Sequence, residues 1–341
     1  MLKSAFLGCG PRARGQARAY QHVNRGAIAA ACDRHPEKLN AFCDDLGIDG
    51  RYDDIHAMLD DVSPDLLHIV TNPQHRVSLM TVASEHRVPV ALVEKPIALQ
   101  GEDWRALSTL SKKTDTRFLV NTQLHFHRKN IELRTLVANG GIGDVRSIDI
   151  SARSTILNQG VHILELAHSY NGYAKPTTVF ASASGVETFA TNEPSPDTAI
   201  AAVEFANGVR CHVTTGFYAP IACDSESKYH HKQIAVFGSR GFIHWTMAGW
   251  ERYTETGGFD CGDHDYGTED DLAQGALTDA AFELRGDRDA NGETSLDRSL
   301  EQFNIILGAY MSVIERRPID LPCDPPDNLL ESLESVLTTP S

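Results

Sequence analysis

The chain has 341 residues, 41% hydrophobic and 23% charged, the composition of a globular protein too long for one typical core, so two domains are expected. A formal net charge of −15 gives a surface that repels nucleic acid and anionic lipid, which excludes both as expected partners. No apolar run approaches the roughly 20 residues of a membrane span, and the N-terminal stretch is too short for a signal h-region, so a cytoplasmic protein is expected.

Strand and helix alternate over the first 120 residues. Residues 3–8 (KSAFLG) read as a short buried strand, 12–22 as a helix and 26–32 (GAIAAAC) as a second strand closed by Asp33. Pro36 suits a first helical turn, and helical spacing runs on to Gly47, a natural stop. A short helix follows in DDIHAMLDD, then a strand at 66–70, a helix at 76–87 and a strand at 88–93 with Pro89 near its start. A helix at 102–113 and a strand at 117–120 complete the run. Such alternation implies a doubly wound parallel sheet with right-handed crossovers.

The first turn reads G-x-G-x-x-A through Gly8, Gly10 and Ala13. Gly8 permits the tight turn, Gly10 lets the backbone approach a pyrophosphate, and Ala13 lets the helix lie close to its strand. The helix N-terminus then faces the phosphates. The pattern follows a strand, opens a helix, and is followed 20 residues past Ala13 by Asp33, so it reads as a dinucleotide site rather than an ordinary tight turn. Arg12, within the turn, joins the candidate set. A carboxylate at Asp33 suits the adenosine ribose and repels a 2′-phosphate, which favours NAD. Arg34 could stack on adenine or reach that phosphate, which keeps NADP open.

Thr71, Asn72 and His75 follow the strand at 66–70 on the carboxyl edge, where ligands bind in open α/β sheets. They could hold the nicotinamide ribose; a helix start capped by Asn72 or Thr71 is the alternative. Lys95, in the triplet Glu94-Lys95-Pro96, falls on the same edge. It can donate to a substrate hydroxyl and hold the oxyanion that develops as hydride departs. Glu94 either anchors the cofactor or pairs with a neighbouring cation.

Here the chain resembles the Gfo/Idh/MocA family of glucose–fructose oxidoreductases and inositol dehydrogenases, through GCGPRA, the Asp33 strand end, TNPQH, VEKP and the segment around His162. The resemblance implies an N-terminal Rossmann domain, placed at 1–121, and a C-terminal α/β domain at 122–341 with an open, mostly antiparallel sheet used for substrate binding and oligomerisation. It places the lysine matching Lys95 at the nicotinamide and the substrate hydroxyl. Gln123 would lie near the nicotinamide and His125 near the substrate, where the family usually has a basic residue; His in place of Arg suits a neutral polyol.

In the second half, IELRTLVANGG reads as a helix and 145–153 as a strand. Residues 156–172 read as a helix carrying Asn158, His162 and Glu165 at helical spacing on one face. The family pattern at this point is Asp-x-x-x-His-x-x-Asp. His162 matches the His, Glu165 keeps an acid, and Asn158 replaces the first Asp. An imidazole, with an ordinary pKa of about 6.5, suits a general base near neutrality, so His162 is the expected base and Asn158 a neutral partner for substrate. Strands dominate from Pro176, with hairpin turns at Asn207-Gly208 and Arg240-Gly241. The loop at 219–231 reads as an exposed polar loop or a cleft rim, and 250–266 as a lid or partner contact. Helices are expected at 269–284 and 296–315, with a charged linker at 286–293.

Seven scattered cysteines lack ligand spacing, and His125-x-His127 lacks a third ligand, so neither disulfides nor a metal are expected. The expected activity is hydride transfer between NAD(P) and a secondary hydroxyl of a carbohydrate or cyclitol, by a homodimer or homotetramer. Lys95 would orient the hydroxyl that His162 deprotonates. An NAD-dependent glycoside hydrolase, working by transient oxidation and elimination, and a non-catalytic dinucleotide sensor are the alternatives.

Overall fold

The computed structural model describes residues 1–286 and 292–338, which divide into two compact units. The first takes Met1–Ala98, Arg105–Phe126 and Asp270–Ser299; the second takes Leu99–Trp104, His127–Glu269 and Leu300–Ser341. The first unit therefore extends five residues past the sequence boundary at 121 and takes back a late segment.

The first unit is built on a six-stranded, all-parallel sheet. Its strands are β1 (Leu2–Leu7), β2 (Gly26–Cys32), β3 (Gly50–Tyr52), β4 (Leu66–Ile69), β5 (Val90–Glu94) and β6 (Arg117–Asn121), in the order β3-β2-β1-β4-β5-β6. The connecting helices are α1 (Pro11–Arg18), α2 (Pro36–Leu46), α3 (Ile55–Val62), α4 (Arg76–Glu85) and α5 (Gly101–Ser111). β4 and β5 are buried at every residue, as strands covered on both faces must be. One face packs Phe6, Ala13, Phe42 and Cys43 together. The other packs Leu66, Val90, Leu92 and Leu119 against Leu277, Ala281 and Phe282 of α8 (Tyr266–Glu283). The helix expected over 12–22 ends as α1 at Arg18, and a 3-10 turn at Ala19–His22 follows it.

The second unit holds a nine-stranded sheet in the order β14-β13-β12-β11-β7-β10-β9-β8-β15. The strands are β7 (Val145–Ala152), β8 (Pro176–Ser184), β9 (Thr198–Phe205), β10 (Arg210–Gly216), β11 (Lys232–Gly238), β12 (Gly241–Thr246), β13 (Gly249–Thr254), β14 (Gly258–Asp263) and β15 (Ile319–Asp320). The β7–β10 pair is parallel and the other pairs antiparallel. Residues 250–266, read from sequence as a lid or partner contact, hold most of β13 and all of β14, which pair as a hairpin that extends the sheet, and the first residue of a helix. α7 (Val161–Tyr170) packs on β7 and β11 and touches α6 (Arg128–Ala138). α9 (Leu296–Glu315) reaches β8, where the Ala181 amide donates to Ser312 Oγ at 3.0 Å, and α10 (Leu329–Thr338) closes the described chain. Phe180, Ile200, Tyr253 and Phe259 stay exposed on strands of the sheet. The linker expected over 286–293 falls largely outside the described residues. No helix among the described residues is long and apolar enough to cross a membrane.

Each unit keeps a neutral histidine in its interior. His68 on β4 stacks on Phe6 at 4.1 Å between ring centroids, and burial pushes its pKa down to about 3. His127, fully buried, accepts the Lys129 amide on Nδ1 as the N-cap of α6; burial, then the neighbouring His264, pushes it down to about 4. The unfolded chain protonates both rings near pH 6.5, so stability is lost as pH falls from there toward the folded values. Denaturant midpoints should fall between pH 7.5 and 4.5. His127→Asn, which keeps an N-cap acceptor, should flatten the slope by about 2 kcal/mol over that range; an unchanged slope would contradict the account.

Candidate functional site

In the first unit the glycine-rich turn is shaped by close backbone packing. Gly8 has φ +96°, and a Cβ there would lie 2.3 Å from the Val70 carbonyl oxygen, so only glycine fits. A Cβ on Gly10 would meet nothing within 4 Å, so the space over the start of α1 is open. Gly10 is the N-cap, no side chain caps the helix, and Pro11 opens it. The first-turn amides are thus left for an incoming anion. Ala13 is fully buried, as close packing of the helix requires.

Asp33 stands at the end of β2 and accepts the Cys9 amide on Oδ2 and the His35 amide on Oδ1, each at 2.9 Å. It binds the loops after β1 and β2 together while each oxygen keeps a lone pair for a hydroxyl. Arg34 is solvent-exposed. Thr71 lies against Gly8, and its Oγ1 accepts from Arg76 at 3.1 Å. Asn72 and His75 are exposed, and neither makes a side-chain cap. The capped-start alternative for this loop is therefore not what forms.

Glu94 is the centre of the carboxyl edge. It is 6% exposed and accepts from Arg12 Nε (3.3 Å), Gln16 Nε2 (2.8 Å) and Asn121 Nδ2 (2.8 Å). Burial raises its pKa, but the charges of Arg12 and Lys95, the Asn121 hydrogen bond and Arg76 outweigh burial and hold it below the usual carboxylate range. The same amide of Gln16 reaches back through Oε1 to His68 Nδ1 at 3.2 Å, and His68 Nε2 meets Tyr20 Oη at 2.7 Å. Because Glu94 can only accept, Gln16 must point its carbonyl at His68. The ring therefore carries its proton on Nδ1 and accepts from Tyr20. Lys95 follows at once, 8% exposed, joined to Pro96 by a cis peptide bond.

Gln123 is buried and donates to Asp270 at 2.9 Å, while its Oε1 is buried without a partner. That unsatisfied acceptor, the open space over Gly10 and the uncapped α1 suit a dinucleotide with an amide to donate. His125 is buried in the same unit with Nε2 against the Glu293 carboxylate. His127 belongs to the second unit, and no group of three or more metal-binding side chains occurs among the described residues.

In the second unit the expected continuous helix begins as a π-type turn, Ile156–Gly160, before α7. The extra residue changes the facing of Asn158 relative to a plain helix. Asn158 is half-buried and donates to Glu193, while His162 and Glu165 are 2% and 1% exposed. Tyr173 Oη donates to Glu165 at 3.5 Å. The loop at 219–231 is mixed: Ile221 is 71% exposed, whereas His231 is buried. Sequence reasoning missed Gln16, His68, Asn121, Gln159, Glu193 and Lys232. Only Lys232 left a clear signal, a lysine in alternation with the buried Ile234 and Val236.

Two family models match the chain. One, described as an oxidoreductase family with NAD-binding Rossmann fold, covers residues 2–122; the other, a GFO/IDH/MocA C-terminal domain, covers residues 149–244. D-apiose dehydrogenase of Rhizobium rhizogenes is 32% identical over 143 residues, 42% of this chain and 41% of that protein. The chain thus aligns with less than half the length of that relative. Myo-inositol 2-dehydrogenase of Thermotoga maritima is 22% identical over 65% of this chain and 68% of its own. An oxidoreductase from Agrobacterium radiobacter in complex with NAD+, L-tartaric acid and magnesium superposes with a TM-score of 0.81 at 23% identity, covering 94% of this chain and 98% of that one. Levoglucosan dehydrogenase in complex with NADH and levoglucosan gives 0.80 at 14%, covering 94% and 100%. At these identities the structural likeness speaks for the fold.

Replacing Glu94 by Gln would turn an amide donor toward the donors of Gln16, Asn121 and Arg12. Glu94→Gln should destabilise the protein by about 2–4 kcal/mol and weaken NADH binding at least several-fold. Thermal denaturation and quenching of protein fluorescence by NADH measure the two effects.

Proposed function

The chain belongs to the Gfo/Idh/MocA oxidoreductase family, and from that premise we propose that it is an NAD-dependent dehydrogenase of a secondary hydroxyl on a neutral carbohydrate or cyclitol. The observation that carries the reading is the shared carboxyl edge of the parallel sheet. There the open turn at Gly10, the Asp33 carboxylate and the Glu94-Lys95 pair follow strands β1, β2 and β5. Relatives named for D-apiose, myo-inositol and levoglucosan support the substrate class.

The nicotinamide dinucleotide, when bound, supplies the hydride acceptor. Gly8, Gly10, Arg12 and Ala13 would shape its pyrophosphate site, and Asp33 would take the adenosine ribose hydroxyls. Thr71, Asn72, His75 and Gln123 would serve the nicotinamide half. Asp33 disfavours a 2′-phosphate, so NAD should be used in preference to NADP. Lys95, beside the Glu94 anion, donates to the substrate oxygen and steadies the negative charge that grows on it. His162 takes the hydroxyl proton on an imidazole nitrogen, since an alcohol gives up hydride only as its proton departs. His125 and Asn158 would bind the remaining hydroxyls. The exposed Phe180, Ile200, Tyr253 and Phe259 support self-association of the second unit's sheet into a dimer or tetramer.

The test is a panel of D-apiose, myo-inositol and levoglucosan with NAD, read by nicotinamide absorbance and product analysis. Lys95→Ala should lower kcat/KM about 10²-fold or more and His162→Ala about 10²- to 10⁴-fold, with NADH binding kept within a few-fold. Undiminished turnover in both variants would overturn the assignment. Substrate cleavage without net cofactor change would point to the hydrolase instead. Analytical ultracentrifugation should find a dimer or tetramer; a monomer at tens of micromolar would refute the self-association reading.

A further inference from the structure

On one side the nine-stranded sheet ends at an edge that is only partly covered. β15 pairs with β8 through Ile319 and Asp320 alone, opposite Val179 and Thr178, so no strand faces residues 180–184 on that side. Ser312 of α9 closes the next position. Its Oγ accepts the Ala181 amide at 3.0 Å and donates to the Arg317 carbonyl at 2.7 Å. In an antiparallel ladder each residue turns both backbone groups to one side, and residues two apart turn the same way. The β8–β9 register is unbroken from Thr178 to Ser184, so Ala183 follows Ala181 and directs its amide and carbonyl away from β9. Neither group has a partner among the described residues.

A cavity of about 380 Å³ lies along this edge. Both Ala183 and its neighbours Ser182 and Ser184 line it. Successive side chains of a strand take opposite faces, so one cavity meets all three only beside the edge. Val313 of α9 and Val336 and Leu337 of α10 give it an apolar wall. Arg316 lines it as well. Arg317 takes the adjacent Glu315 at 2.5 Å, whereas Arg316 is exposed and has no carboxylate partner among the described residues. Its φ of 55° is a left-handed conformation that glycine or asparagine adopts at lower cost.

We propose that the open edge of β8 is a docking groove for an extended, acidic peptide segment of a partner protein. The segment adds as a short antiparallel strand in line with β15 and exchanges both backbone hydrogen bonds with Ala183. It sets an aliphatic side chain against Val313, Val336 and Leu337 and a carboxylate on Arg316. Charge selects this occupant over a second copy of the chain: the same edge of another protomer, PTTVFASAS, carries no acid to meet Arg316. The inference is independent of the dehydrogenase reading.

The experiment selects phage-displayed random heptapeptides on the full-length protein, then measures the winners as acetylated, amidated synthetic peptides by fluorescence polarisation. They should combine an aliphatic residue with a nearby Asp or Glu. Ala183→Pro deletes one amide that β9 does not use, so it should weaken binding about 10-fold or more while the melting temperature stays near wild type. Arg316→Asn suits the left-handed backbone; it should weaken acidic peptides about 3- to 10-fold at low salt and leave their amide counterparts unchanged. N-methylation along the peptide should abolish binding at alternate residues, the signature of a strand. If Ala183→Pro melts far below wild type, that methylation pattern decides. Selection of no acidic peptide, binding indifferent to Arg316→Asn or to a folded Ala183→Pro, or a methylation pattern without alternation overturns the inference. So does equal displacement by isovalerate, which assigns the groove to a small acid, or by Thr-Pro-Ser, the last three residues of the chain. A changed sedimentation coefficient in Ala183→Pro with peptide affinity kept assigns the edge to a second copy and also overturns it.

Discussion

One buried anion organises the first unit. Glu94 collects donors from Arg12 and Gln16 on α1 and from Asn121 on β6, so the start of the first helix is tied to the end of β5. Left without those donors, a carboxylate this deep would cost several kcal/mol. With them it is ionised, and its charge sits next to Lys95. The glycine-rich turn, the helix N-terminus and the lysine are in this way one block rather than three neighbours. The seam continues through Gln16 to His68 and Tyr20, where the imidazole stacked on Phe6 stays neutral.

The second unit solves a related problem with the opposite sign. One of its buried charged side chains is Lys232, which the Gln159 and Asn158 amides link by hydrogen bonds to the Glu193 carboxylate. The π-type turn makes this possible. Within Ile156–Gly160, Gln159 turns inward to the lysine while its neighbour Asn158 turns outward to Glu193. Irregular turns of this kind cost regular hydrogen bonding and recur where a side chain must be aimed.

Much of the fold was legible because its signals are local. Strand–helix alternation, the Gly8-Gly10-Ala13 turn and the hairpin turns at Asn207-Gly208 and Arg240-Gly241 each depend on a few adjacent residues, and each element formed. The β13–β14 hairpin was not legible, because its Gly and Asp content argues against strands and pairing with β12 overrides that preference. Nor was the return of residues 270–299 to the first unit. The spacing in α8 shows that one face is buried, not that Leu277 and Phe282 meet Leu66 and Val90. The site divides along the same line. Glu94 and Lys95 are marked by their place at a strand end. Gln16 and Glu193 look like ordinary polar residues until tertiary structure brings their partners, and Asn158 reads differently once Glu193 is beside it.

The two hydrogen bonds at Asp33 bear on how cofactor preference could change. Its carboxylate fastens the loops after β1 and β2 by taking a backbone amide on each oxygen. Evolution or engineering toward a phosphorylated ribose therefore could not simply delete the acid, because the loop that approaches the pyrophosphate would lose its clasp. A viable route would trade the charge for a neutral acceptor such as Asn or Ser and let the adjacent, solvent-exposed Arg34 receive the extra phosphate.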